Sequence, residues 1–249
     1  MIDRDTGNWY TAIVSAIGIA IGAYVVGTVI TALMIVLLQS AGISVRGYPG
    51  RTALVSAIAL QAIGFGGFAI IYVEYTERGQ ELVRAHVPSL RELGYFIGGI
   101  AAVLIGWIAT TLLITWIGIQ PAESAIISGI RNPQLLLVLI PVSIVIVGPA
   151  EELLFRGLVQ GRIKRAIGPV GAIIIASAVF ASIHTFGLIG SPKQMIATLS
   201  VIFVLALVLG SLYELTGNLV IPAIVHGLFN AIQFSLAYLQ AVGQLPGTG

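Results

Sequence analysis

The sequence predicts an all-α, polytopic membrane bundle of seven spans, with eight as the alternative. Three observations lead there. Of 249 residues, 57% are hydrophobic and only 9% charged, where a soluble domain carries about 25% charged residues. Mean hydropathy is +1.03, and the apolar residues fall in runs close to the ~20 residues that cross a bilayer. The longest polar stretch, residues 74–92, offers no room for a soluble domain.

The elements follow in order. The tail Met1-Ile2-Asp3-Arg4-Asp5 precedes an apolar run over 9–38, too long for a signal-peptide core and read as a retained first span. Gly22 and Gly27 within it would permit a break, and hence the eighth span. The second span is predicted over 52–73. Residues 74–92 carry opposite charges at helical spacing, Glu74 with Arg78 for example, and read as an interfacial helix in which His86 is an ordinary surface histidine. Further spans are expected over 94–117, 134–159, 168–185, 196–213 and 219–240. In the fourth, Gly148-Pro149 interrupts the apolar run just before two glutamates. Proline lacks the backbone donor, so a kink is expected there, and irregular backbone at membrane depth is tolerated where it lines a polar cavity. Residues 1–132 form the N-terminal helices, with a cytoplasmic amphipathic segment over 74–93, and residues 133–240 the polar-bearing core.

Seven spans divide the loop charges unequally. Arg4, Arg78, Arg84, Arg91, Arg162, Lys164 and Arg165 fall on one side; Arg46, Arg51, Arg131 and Lys193 fall on the other. Positive charge marks the cytoplasmic face, so a cell-membrane protein with a cytoplasmic N-terminus is expected.

Composition also excludes chemistries. The chain has no cysteine, and its net charge of +2 gives no reason to expect a nucleic-acid partner. Its only aspartates are Asp3 and Asp5, so a pair of membrane-embedded catalytic aspartates is ruled out. No His-Glu-x-x-His is present, and Gly42-Ile43-Ser44 lies in a predicted loop, not in a span. Ser177, Ser182 and Ser200 read as small packing residues.

The polar residues inside spans are few, and ionisable groups there cost roughly 2.5–3.5 kcal/mol each on insertion scales. Glu152 and Arg156 are four apart and can pair, while Glu151 points about 100° away and stays free to take a proton. Gly168-Pro169 marks a turn; Glu151 lies 16 residues before Ile167 and His184 lies 17 after it, so an antiparallel hairpin puts both at one level. Phe180, one turn from His184, would pack over its imidazole or shield it from lipid. His226 and Asn230, again four apart, share a face of the last span; imidazole serves as acid or metal ligand, and carboxamide as an oxyanion donor. Plain helix–helix hydrogen bonding accounts for such residues too, as does a proton-coupled transporter, and a non-catalytic immunity or scaffold protein would use them only as struts.

Glu151-Glu152-Leu153-Leu154-Phe155-Arg156, Phe180-Ala181-Ser182-Ile183-His184 and His226-Gly227-Leu228-Phe229-Asn230, with the lead-in Thr216-Gly217-Asn218-Leu219-Val220-Ile221-Pro222, together resemble the CPBP family, the Abi or type II CAAX prenyl proteases and bacteriocin-processing enzymes. The resemblance covers about residues 133–240. It implies an intramembrane endopeptidase acting at the cytoplasmic side on a peptide or protein tail. Glu151 would activate water with His184, His226 and Asn230 would stabilise the oxyanion or place the substrate, Glu152 and Arg156 would organise the site, and Phe180 would contact substrate. The family is described both as glutamate peptidases and as metalloproteases. A zinc ion, if used, would draw on Glu151, His184 and His226, and Glu151 could not then be the free base.

Overall fold

A computed structural model describes residues 8–76 and 82–245. Among these residues seven helices are long and apolar enough to cross a bilayer: span 1 (Trp9–Ser40), span 2 (Pro49–Tyr75), span 3 (Leu90–Trp116), span 4 (Gln134–Ile167), span 5 (Pro169–Gly187), span 6 (Pro192–Thr216) and span 7 (Val220–Ala241). Their outer faces present bare apolar side chains, such as Leu37, Ile97, Leu112 and Val145, which suit lipid and not water. The protein is a multi-pass membrane bundle.

Span 1 is unbroken, so the eighth span does not arise. Gly27 serves packing: a Cβ on Gly64 of span 2 would lie 2.5 Å from the Gly27 Cα, a contact only two glycines permit. Span 4 occupies the centre. Its Leu154, Phe155, Leu158, Val159 and Ile163 are buried against Ala16, Ala20 and Ala23 of span 1, Phe65 of span 2, Ala172, Ala176 and Phe180 of span 5, and Ala206 of span 6. Spans 3, 6 and 7 share a second cluster around Val103, Val201, Leu205, Leu209, Val225 and Phe229.

Span 4 is helical throughout to Ile167, beyond the sequence-based limit at residue 159, and Gly148-Pro149 does not interrupt it. The irregularity takes another form: π-helical turns at Ser143–Val147 and Leu153–Gln160 bracket an α-helical Gly148–Glu152. Each π turn loosens the hydrogen-bond ladder without breaking it, and such turns concentrate at functional sites. Gly168, at φ 82°, ends span 4 in a conformation that favours glycine, and Pro169 opens span 5 one residue later.

The expected interfacial helix is not formed in its described part. The helix of span 2 stops at Tyr75, residues 83–89 have no regular structure, and the Glu74–Arg78 pairing lies outside the described residues, as do Asp3, Arg4 and Asp5. Residues 82–89 form a strap tied to the corner between spans 6 and 7. The Tyr213 hydroxyl donates to the Leu82 carbonyl (2.9 Å), and Leu219 N–H donates to the Arg84 carbonyl (2.8 Å). The buried Asn218 amide donates to the His86 carbonyl (3.0 Å) and to Glu92 (3.1 Å). His86 is paired with Glu92 at 3.0 Å, so this histidine has a structural partner the sequence did not suggest. Tertiary hydrogen bonds outcompete the local charge spacing, and Pro88 with the Ser89–Glu92 capping box starts span 3 only afterwards. On the opposite side of the bundle, Glu123–Ser124 pairs antiparallel with Leu188–Ile189.

Spans 4 and 7 approach closest where the polar residues lie. A Cβ on Gly148 would sit 2.6 Å from the Ala223 carbonyl oxygen and 2.9 Å from Gly227 N, and one on Gly227 would sit 2.6 Å from the Ile144 Cα. Both clashes are with backbone, so side-chain adjustment cannot relieve them. Gly227→Ala is therefore expected to destabilise by about 1–3 kcal/mol through overpacking, read from the unfolding midpoint in detergent. A variant as stable as the wild type would contradict this crossing.

Candidate active site

The fully buried Glu152 is the organising group. Its Oε2 accepts from Arg156 Nε at 2.9 Å along the same helix, and its Oε1 accepts from His226 Nδ1 at 2.9 Å across from span 7. Carboxylate oxygens only accept, so Nδ1 of His226 carries the hydrogen. Orienting an imidazole through a carboxylate leaves its other nitrogen aimed at the reacting space.

That nitrogen, His226 Nε2, faces Glu151 Oε2 at 3.7 Å. Glu151 is 4% exposed and its Oε2 has no hydrogen-bond partner. The separation exceeds a direct hydrogen bond and is too short for a water to lie between the two atoms, so a water that contacts both sits to one side of the pair. The imidazole beside Glu151 is thus that of His226. His184, which the sequence set level with Glu151, lies at the end of the span 5 α-helix and makes no ion pair with Glu151 within 4 Å. Its Nδ1–H donates to the Phe180 carbonyl at 2.8 Å, which leaves its Nε2 free.

Phe180 joins the two histidines. Its ring lies 4.6 Å from the His184 ring and 5.7 Å from the His226 ring, centroid to centroid, with the Arg156 guanidinium 5.3 Å away and Phe155 edge-on at 5.0 Å. At 3% exposure the ring is occupied by these neighbours rather than offered to a substrate. Asn230 is half-buried one turn beyond His226, and its side chain makes no hydrogen bond among the described residues.

The ligand set considered for zinc is not assembled. Among the described residues no three His, Cys, Asp or Glu are grouped to hold a metal ion. His226 Nδ1 is committed to Glu152, and Glu151 and His226 Nε2 form a pair without a third donor. A groove of about 650 Å³ between spans 3 and 6 is lined by Tyr95, Gly98, Leu207 and Leu212 among others, and by none of the residues above. It is separate from the polar cluster around Glu152.

Sequence reasoning overlooked Gln160, which is fully buried. Its Nε2 donates to the Gly210 carbonyl (3.1 Å) and to Glu214 Oε1 (2.9 Å), and Glu214 in turn pairs with Lys164. A signal was available: Glu152, Arg156, Gln160 and Lys164 repeat every four residues, a polar ridge along one helix.

No curated protein and no solved structure matches the chain. One family model does, described as type II CAAX prenyl endopeptidase Rce1-like, over residues 133–232. Those residues begin with span 4 and run into span 7, so they contain every polar side chain gathered around Glu152. The kind of function this supports is that of a CAAX intramembrane protease. Residues 133–232 of this membrane protein are similar to the Rce1-like type II CAAX prenyl endopeptidase family.

Proposed function

We propose that the protein is a metal-independent intramembrane endopeptidase that cuts the C-terminal tail of a membrane-held peptide or protein at the cytoplasmic face. The observation that carries the reading is the pair of Glu151 Oε2 and His226 Nε2, buried and 3.7 Å apart, close enough that one water lying beside them reaches both atoms. A desolvated carboxylate without other partners suits a general base. In the proposed reaction Glu151 takes a proton from that water, and the hydroxide adds to the scissile carbonyl carbon. The oxyanion accepts from His226 Nε2–H, held in place by Glu152, and from the Asn230 carboxamide. Glu151 then passes its proton to the amide nitrogen, and the C–N bond breaks. His184, against the Phe180 ring and with its Nε2 unpaired among the described residues, orients the incoming tail. The cytoplasmic assignment follows the excess of Lys and Arg on the side that holds Arg162, Lys164 and Arg165.

The test is cleavage by purified protein of two peptides with the same CAAX terminus, one prenylated and one not, resolved by mass spectrometry. Cleavage by wild type and none by Glu151→Gln supports the proposal; equal cleavage by both, or none by either, overturns it. Chelation separates the two chemistries. With no metal required, excess EDTA or 1,10-phenanthroline is expected to leave the rate within about two-fold, whereas removing a catalytic metal eliminates its bound nucleophile. Loss of activity on chelation, restored by zinc, would show the metal-independent step to be wrong.

A further inference from the structure

The Arg156 guanidinium is only partly accounted for. The residue is fully buried, and among the described residues only Nε–H of its five N–H donors has a partner; Nη1 and Nη2 have none. Gln160 Oε1, one turn on, is likewise buried without a partner among the described residues. Its orientation is not free. The Gly210 carbonyl and the Glu214 carboxylate can only accept, so they hold the amide nitrogen on their side and turn Oε1 the other way. Both orphaned groups converge on Gly210: a Cβ there would meet Gln160 Oε1 at 2.8 Å and Arg156 Nη1 at 3.4 Å. Glycine at this position keeps a side chain out of the space between a bare donor and a bare acceptor. A buried water needs two to four polar partners, and this convergence supplies them.

We propose that Gln160, anchored by Glu214, is a positioning residue for the reaction: through Oε1 and a bridging water it fixes the far end of Arg156, and through Arg156 the Glu152–His226 pair. This rests on the proteolytic reading above. The ridge then runs without a break from His226 through Glu152, Arg156, the water and Gln160 to Glu214 and Lys164 at the end of span 4. Lys164 is about half exposed, so the ridge ends where water is available. Arg156 also stacks over Phe180, the ring shared by both histidines, so a guanidinium that swings moves the whole constellation. Gln160 itself touches no reacting atom.

The experiment uses the full chain and the prenylated CAAX peptide, with three substitutions. Gln160→Met keeps the length and removes both polar ends. Gly210→Ala keeps Gln160 but places a methyl between it and Arg156. Gln160→Glu keeps an acceptor towards Arg156 and sets a like charge against Glu214. Positioning predicts that Gln160→Met and Gly210→Ala each lower kcat by about ten-fold or more with KM nearly unchanged, the pattern of an interaction that acts on the transition state. It also predicts that Gln160→Glu retains more of kcat than Gln160→Met. A merely structural tie between Gln160 and Glu214 predicts the reverse order, with the carboxylate the worse replacement and the loss seen in the unfolding midpoint. That reversed order, or a kcat for Gln160→Met within about two-fold of wild type, overturns the proposal. Failure of the proteolytic reading is recognised separately, by wild type and Glu151→Gln behaving alike. In that event a cryo-electron-microscopy map still judges the contact: density joining the guanidinium to Gln160 Oε1 upholds it, and a guanidinium turned away from Gln160 overturns it.

Discussion

Glu151→Gln is expected to yield a folded protein that no longer cuts peptide bonds. The substitution keeps the volume of the side chain and removes only its ability to take a proton. Glu151 makes no hydrogen bond through Oε2, and its contact with His226 is 3.7 Å long, so the fold depends little on its charge. Losing a general base costs about 10²–10⁴-fold in rate, and the unfolding midpoint is expected to stay near that of wild type. The neighbouring glutamate behaves differently, which makes the pair informative. Two adjacent acidic residues with the same formal chemistry are expected to separate: loss of Glu151 costs rate alone, and loss of Glu152 costs stability as well. Rates and unfolding midpoints measured side by side for Glu151→Gln and Glu152→Ala check this; a Glu151→Gln protein that cuts normally removes residue 151 from the mechanism.

Glu152→Ala is expected to destabilise the bundle by about 3–5 kcal/mol, the usual consequence of stripping one partner from a buried ion pair. The reason is Arg156: its guanidinium is fully buried, and among the described residues its Nε–H bonds only to Glu152. His226 simultaneously loses the acceptor that fixes its ring. Replacing the three residues together with apolar ones of similar size (Glu152→Met, Arg156→Leu, His226→Phe) removes the buried charges along with their mutual attraction. That triple variant is expected to recover much of the lost stability while remaining inactive. Denaturant titration in detergent measures both. A Glu152→Ala protein as stable as wild type would mean that the Arg156 charge does not depend on Glu152 for its compensation, against the buried pairing.

Some of this arrangement was legible in the residues. Seven apolar runs of bilayer length gave seven helices, because in lipid every backbone donor must be satisfied within its own segment and run length alone decides what can span. The Glu152–Arg156 pair was legible for a similar reason: residues four apart on a helix are neighbours whatever surrounds them. Gln160 obeyed the same spacing and was overlooked because an uncharged amide does not stand out in an apolar run. Residues 82–89 misled, since their flanking charges have helical spacing, yet Tyr213 and Asn218 from more than a hundred residues away bind their backbone. Gly22 and Gly27 likewise suggested a break in span 1, where Gly64 of span 2 uses Gly27 for close approach.

What the sequence by itself determined is the set of helices, their lengths and the short-range pairs along each, because these depend on hydropathy and on a fixed helical repeat. Only the tertiary structure decided which imidazole faces Glu151. That choice depends on the Gly148–Gly227 crossing, where two backbones meet without side chains between them and so carry His226 onto Glu152. Contacts between helices have no period in the chain; they are set by which surfaces can approach most closely and which buried charges must find a partner.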